Sequence, residues 1–232
     1  MIRGVIFDLD HTLFDRYATI KKVMPDFYHN YREKIPKKLS VEEFIDRFIS
    51  IEKKHIHYGW AKIIKTCVEE GILSPVADEE ITEVVGYIIN HCWSIAAVKY
   101  PFTNPMLIKL RQQGYKLGIV TNGGHACQDS KLKMLELYDL VDEVVISEDV
   151  GAHKPDPQPF LIMSEKIGIP PHELIYVGDH PVNDVDGSRR VGYIPVWVKT
   201  TGYWCFDRVP HADYEIETVE EIPDLLNKIN NK

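Results

Sequence analysis

The chain has 232 residues, 44% of them hydrophobic and 27% charged, which excludes wholesale disorder and leaves room for one sizeable domain or a core with a smaller companion. With 35 acidic residues against 27 basic ones the net charge is −8, so nucleic acid is not expected as a bulk partner and any anion site must be built locally. The four cysteines (Cys67, Cys92, Cys127, Cys205) lie far apart with no C-x-x-C pair, which favours reduced thiols in a cytoplasmic protein over a disulfide framework or a zinc site. Met1–Phe7 is too short and too soon followed by acid for a signal peptide, and no apolar run approaches the roughly 20 residues that span a bilayer.

In chain order, the first strand signal is Val5-Ile6-Phe7, which stops at Asp8-Leu9-Asp10. From there to about Tyr100 the patterns are helical. Ser40-Val41-Glu42-Glu43 reads as a capping box, followed by Phe44, Ile45, Phe48 and Ile49 on one face. Asp78 reads as the cap of a helix with a stripe of Ile81, Val84, Val85, Ile88, Ile89 and Cys92, and weaker helical patterns surround Tyr17–Tyr31 and Ala61–Glu70. This region, 16–98, is expected to be a helical bundle inserted after the first strand, with 1–15 and 99–232 forming the catalytic core.

Beyond Tyr100-Pro101 strands and helices alternate. A helix over Pro105–Gln113 closes at Gly114, the strand Lys116–Val120 ends in Thr121-Asn122-Gly123-Gly124, and a helix Cys127–Leu137 precedes the strand Glu143–Ile146. A helix from near Pro159 precedes the strand Leu174–Val177, which ends in Gly178-Asp179. A helix through Asp184–Arg190 then leads to the strand Tyr193–Val198. Thr218-Val219-Glu220-Glu221 is a second capping box before a final helix. Alternation of this kind implies a parallel sheet with helices on both faces, and such sheets bind ligands beyond the carboxyl ends of their strands.

Those strand ends hold the unusual residues. The first delivers Asp8 and Asp10, the second Thr121 and Asn122, and the fourth Asp179, with Asp184 five residues on; Gly151 to Pro157, between the second and fourth, adds Lys154. If the strands are neighbours, four carboxylates meet on one rim, and their mutual repulsion calls for a cation; an all-oxygen set suits magnesium. Asp8 is then placed as a nucleophile and metal ligand, and Asp10 as the acid that protonates a leaving alkoxide and the base that activates water. Thr121, Asn122 and Lys154 offer a hydroxyl, an amide and an ammonium to phosphoryl oxygens, beside a glycine loop and a helix N-terminus.

These motifs resemble those of the haloacid dehalogenase superfamily, in the phosphatase branch with a helical cap after the first motif. Phe7-Asp8-Leu9-Asp10-His11-Thr12-Leu13 is similar to the family's D-x-D-x-T, Val120-Thr121-Asn122-Gly123 to its second motif, Lys154-Pro155-Asp156-Pro157 to its third, and Gly178-Asp179 through Asn183-Asp184 to its fourth. The resemblance implies a Rossmann-like α/β core with an inserted α-helical cap. It implies Asp8 as nucleophile and Asp10 as general acid/base. Magnesium would be held by Asp8, the Asp10 backbone carbonyl, Asp179 and, through water, Asp184. Thr12 would steady the loop, and Thr121 and Lys154 would bind phosphate.

Asp10 argues for phosphate esters over carbon–halogen bonds, because a departing halide needs no proton. The expected activity is hydrolysis of a small phosphorylated metabolite, a sugar phosphate or nucleotide, with a 5'-nucleotidase, a sugar phosphomutase and a non-catalytic binding protein as the alternatives. His11 stands where this branch often has glycine, and either touches substrate or, as the default, points to solvent.

Other residues have plainer readings. Asp156 is a helix cap, Asp15 and Asp186 are turn or surface acids, and Cys127 is a small buried apolar residue. His55 and His57 do not share a helix face, and Tyr58 and Trp60 are expected in aromatic core packing rather than facing substrate. Trp197, Tyr203 and Trp204 either pack beside the last strand or form a contact surface.

Overall fold

The computed structural model describes residues 1–55, 58–89, 96–201, 204 and 207–231; His57, Cys92, Tyr203 and Cys205 lie outside the described residues. In chain order the elements are β1 (Gly4–Phe7), α1 (Arg16–Asn30), α2 (Val41–His55), α3 (Trp60–Glu69), α4 (Asp78–Tyr87), α5 (Thr103–Gln112), β2 (Lys116–Thr121), α6 (His125–Met134), β3 (Glu143–Ile146), α7 (Ser147–Val150), α8 (Pro157–Ile167), β4 (Leu174–Gly178), α9 (Gly187–Arg190), β5 (Ile194–Val198), β6 (Tyr214–Ile216) and α10 (Ile222–Asn230). The chain divides into two compact units, one of Met1–Asp15 with Lys99–Lys232 and the other of Arg16–Val98. Among the described residues no helix is long and apolar enough to cross a membrane.

In the larger unit the six strands form one parallel sheet in the order β3-β2-β1-β4-β5-β6, an α/β fold with helices on both sides. β1 pairs with β2 on one side and β4 on the other, so Phe7 lies opposite both Ile119 and Val177. The carboxyl ends of these three central strands therefore finish side by side. Ile6, Val120 and Tyr176 from them pack with Phe160 and Met163 of α8 in a single core, and water-free burial of this kind is what fixes the register. The short strand β6 carries no alternating signal of its own and takes its place by pairing with β5.

The smaller unit is helical. Both arms of the box at the start of α2 form: the Ser40 amide donates to Glu43 at 3.0 Å and the Glu43 amide to the Ser40 hydroxyl at 3.2 Å. α4 differs from expectation. Asp78 is its first residue, and the cap position is Ala77, whose amide donates to the Glu80 carboxylate at 3.1 Å. The longer Glu80 side chain reaches back to that amide, which satisfies the helix end without Asp78. Ile81, Val84 and Ile88 are buried as their spacing requires. Phe27 stacks on Tyr31 and on Phe44 with ring centroids 4.6 and 5.9 Å apart, an aromatic core for this unit. Tyr58 does not join it; the side chain is 60% exposed. Its neighbour Gly59 takes φ 82°, which turns the chain before α3 rather than continuing a buried helical face.

Cys67 and Cys127 are buried thiols. Asp156 caps α8, accepting from the Gln158 amide at 2.8 Å. Trp197 is buried on β5 and its indole N–H donates to the Asp179 carbonyl at 2.8 Å, while its ring meets Trp204 edge-on at 5.1 Å.

Candidate active site

β1 ends at Phe7, and the Asp8 amide still donates to the Val177 carbonyl of β4 at 2.8 Å, so Asp8 leaves the sheet at its centre with its backbone fixed. Leu9 is fully buried, and the loop closes through Thr12 and Leu13 amides onto the Leu9 carbonyl at 3.3 and 3.0 Å. His11 sits inside this loop. It is 1% exposed, not solvated, and its φ is +64°. That left-handed conformation is one a residue with a Cβ seldom adopts, and here it accompanies a side chain that is buried rather than directed to solvent. Thr12 places its hydroxyl 3.5 Å from Asp8 Oδ2.

The buried ammonium of Lys154 is the hub. Its Nζ lies 2.6 Å from Asp8 Oδ1, 2.8 Å from Asp184 Oδ1, 2.8 Å from the Tyr176 hydroxyl and 2.9 Å from the Val120 carbonyl. Burial alone would release its proton, but the Asp184 and Asp8 charges hold the amine protonated well above the ordinary lysine range. Asn122 braces this lysine: its side-chain N–H donates to the Lys154 carbonyl at 2.9 Å and its Oδ1 accepts from the Lys154 amide at 2.8 Å. Both ends of the Asn122 amide thus join the second motif to the third.

Asp179 and Asp184 arrive by different routes. Asp179 directly follows β4, its carbonyl held by Trp197. Asp184 is carried by a π-helical turn over Pro181–Asp186, whose hydrogen bonds span one residue more than those of the expected α-helix. The turn swings Asp184 back over β4, where its Oδ2 accepts from the His180 amide at 2.9 Å. A Cβ on Gly178 would lie 2.4 Å from that same oxygen, so only glycine admits this approach.

The carboxylates of Asp8, Asp179 and Asp184 are buried and offer oxygens all within 4.8 Å of one another. Desolvation pushes the Asp8 carboxyl up to about 7, opposed by the Lys154 ammonium and assisted by the Asp184 and Asp10 charges. Three carboxylates against one ammonium leave two negative charges, and one divalent cation balances them. An all-oxygen set of this kind fits magnesium. The side chain of Asp10 is outside this group; Lys131 contacts both its oxygens, at 2.8 and 3.0 Å, and Gln128 donates to Oδ2 at 3.0 Å. Gln128 also donates to the buried Thr121 hydroxyl and, at 3.0 Å, to the Asn122 carbonyl.

A family model for haloacid dehalogenase-like hydrolases matches residues 5–198, across all four motifs. The chain belongs to that family. It is 30% identical over 238 residues to a glyceraldehyde 3-phosphate phosphatase of Methanopyrus kandleri, covering 99% of each chain. It is 25% identical to the N-acylneuraminate-9-phosphatase of Mus musculus, covering 100% of this chain and 96% of that protein. Among solved structures it superposes with a TM-score of 0.64 and 33% identity on a phosphatase of this family from Thermococcus onnurineus, over 97% and 98% of the two chains.

Sequence reasoning missed three residues around these acids, Gln128, Lys131 and Tyr176, and gave Trp197 a packing role without its hydrogen bond to the Asp179 carbonyl. The signal for two of them was present in α6, whose buried face is Cys127, Gln128, Lys131 and Leu132. An amide and an ammonium facing inward at that spacing need polar partners.

Proposed function

We propose that this protein is a magnesium-dependent phosphatase that hydrolyses a small sugar phosphate through an aspartyl-phosphate on Asp8. The coarser statement, a phosphate-ester hydrolase, rests on its family and on relatives that are phosphatases. The observation that carries the finer one is the division of labour among the acids. Asp8 is paired with Lys154 and buried beside the carboxylates of Asp179 and Asp184, whereas Asp10 is held apart by Lys131 and Gln128.

Asp8, Asp179 and Asp184 would hold the cation, which when bound neutralises charge on the phosphoryl oxygens. Asp8 attacks phosphorus, the ester P–O bond breaks, and Asp10 gives its proton to the departing alkoxide. Asp10 then takes a proton from water as that oxygen attacks phosphorus, which frees Asp8 and releases inorganic phosphate. Lys154 and the Thr121 hydroxyl orient the phosphoryl group, and the amide of Gly124 in the loop before α6 adds an N–H donor, the Gly123 amide being taken by the Ser147 hydroxyl. The segment Arg16–Val98 is read as the cap, the part that chooses the leaving group.

The two named relatives are a glyceraldehyde 3-phosphate phosphatase and an N-acylneuraminate-9-phosphatase, which is why a sugar phosphate leads here. An initial-rate screen over a phosphoester panel that includes glyceraldehyde 3-phosphate, hexose phosphates and nucleoside monophosphates tests this. The expected result is preference for a sugar phosphate. Preference for nucleoside monophosphates would replace the substrate class, and no turnover of any ester by the magnesium-loaded protein would end the reading.

A further inference from the structure

The acid pair Asp8 and Asp10 leaves the same strand only two residues apart, yet the two carboxylates have separate partners. α6 makes this separation. Gln128 and Lys131, three residues apart and so on one helix face, both point inward and both are buried. A lysine at a helix face beside a core strand is unusual, because its ammonium must be paired to be retained there. Lys131 Nζ pairs with both oxygens of Asp10 and lies 5.4 Å from the centre of the Phe14 ring, whose negative face also suits a cation. Gln128 adds a donor to Asp10 Oδ2 and spans to Thr121 and Asn122. Two side chains from one helix thus restrain the rotation of the Asp10 carboxylate and draw it toward α6.

We infer that Lys131 and Gln128 are positioning residues for Asp10, a clamp that keeps its carboxylate out of the acid cluster of Asp8, Asp179 and Asp184 and fixes it where protons are exchanged. The inference rests on the reading of Asp10 as the proton donor and acceptor. Turned instead toward Asp8, Asp179 and Asp184, the Asp10 carboxylate would join the acids that would hold the cation and would no longer serve to move protons. Neither Lys131 nor Gln128 touches the reacting atoms in this account; both act through Asp10.

The test compares Lys131→Met, Lys131→Arg, Gln128→Ala and Asp10→Asn with the wild type on two esters, an alkyl phosphate with a poor leaving group and an activated aryl phosphate. kcat/KM reports phosphoryl transfer to Asp8. Lys131→Met is expected to lower kcat/KM for the alkyl ester by roughly 10- to 100-fold, a part of what a general acid contributes, and to spare the aryl ester. The loss should fall on kcat, Lys131→Arg should recover most of it, and Gln128→Ala should lose less. Affinity for inorganic phosphate in the presence of magnesium, measured by calorimetry without turnover, should stay within about threefold of wild type.

Wild-type rates in Lys131→Met beside an inactive Asp10→Asn would overturn the clamp and leave the role of Asp10 standing. Equal losses on both esters with weakened phosphate binding would also overturn it, since Lys131 would then serve binding. Full alkyl-ester activity in Asp10→Asn would instead remove the reading on which the clamp depends. Should Lys131→Met fail to fold, Gln128→Ala decides: an alkyl-specific loss supports the clamp, and wild-type behaviour overturns it.

Discussion

Lys154 Nζ lies 2.6 Å from Asp8 Oδ1 and 2.8 Å from Asp184 Oδ1, so one buried ammonium bridges the strand end of β1 and the π-helical turn after β4. The three side chains come from separate parts of the chain, and the lysine holds two acids close that would otherwise repel. Lys154→Met leaves those acids unpaired in the interior. In metal-free protein it should cost about 3–5 kcal/mol of stability, the range for breaking a buried ion pair from one side, read as a lower urea midpoint. A midpoint unchanged from wild type would contradict the bridging role.

Asp8→Asn preserves shape while removing the nucleophile. Turnover should fall below detection, with a thermal midpoint within a few degrees of wild type, and no acid-stable or acid-labile phosphate should attach to the protein. Wild-type-like hydrolysis in this variant would exclude a covalent step on Asp8.

Gly178→Ala probes the approach of Asp184. The added Cβ would stand 2.4 Å from Asp184 Oδ2, which is also tied to the His180 amide. Asp184 must shift, and magnesium affinity by calorimetry should fall by about 10- to 100-fold, as for other groups that orient metal ligands. Unaltered affinity would detach Asp184 from the metal set.

Chelation should silence the enzyme and magnesium should restore it. Excess calcium should inhibit, because its longer bonds and looser coordination misplace the nucleophile. Hydrolysis that survives exhaustive chelation would remove the cation from the account.

His125 opens α6 with its Nδ1 2.8 Å from Asp149, and the hydrogen bond and charge of Asp149 raise its pKa above the ordinary 6.5. For a base raised in the folded state, the stabilisation is fully present below pH 6.5 and is lost as pH rises through the higher folded midpoint. An NMR titration should place the His125 midpoint above 6.5, and Asp149→Asn should bring it back toward that value. Identical midpoints in the two proteins would contradict the pairing.

The sequence by itself determined the parallel α/β plan and the strand ends on which Asp8, Asp10, Thr121, Asp179 and Lys154's loop are carried. Each is written locally, in an apolar run closed by acids or glycines, or in a capping pair such as Ser40 and Glu43. Only the tertiary structure decided which groups meet. The inward burial of His11, the brace of Asn122 on the Lys154 backbone and the grip of Lys131 on Asp10 join residues through strand order and helix rotation. So does the wider turn that returns Asp184 to Lys154. Periodicity records which face a side chain occupies within a few residues; it carries no information about which buried charge from 30 or 146 positions away will answer it. That choice follows from the cost of leaving a buried ion unpaired, which is settled only when the strands are in place.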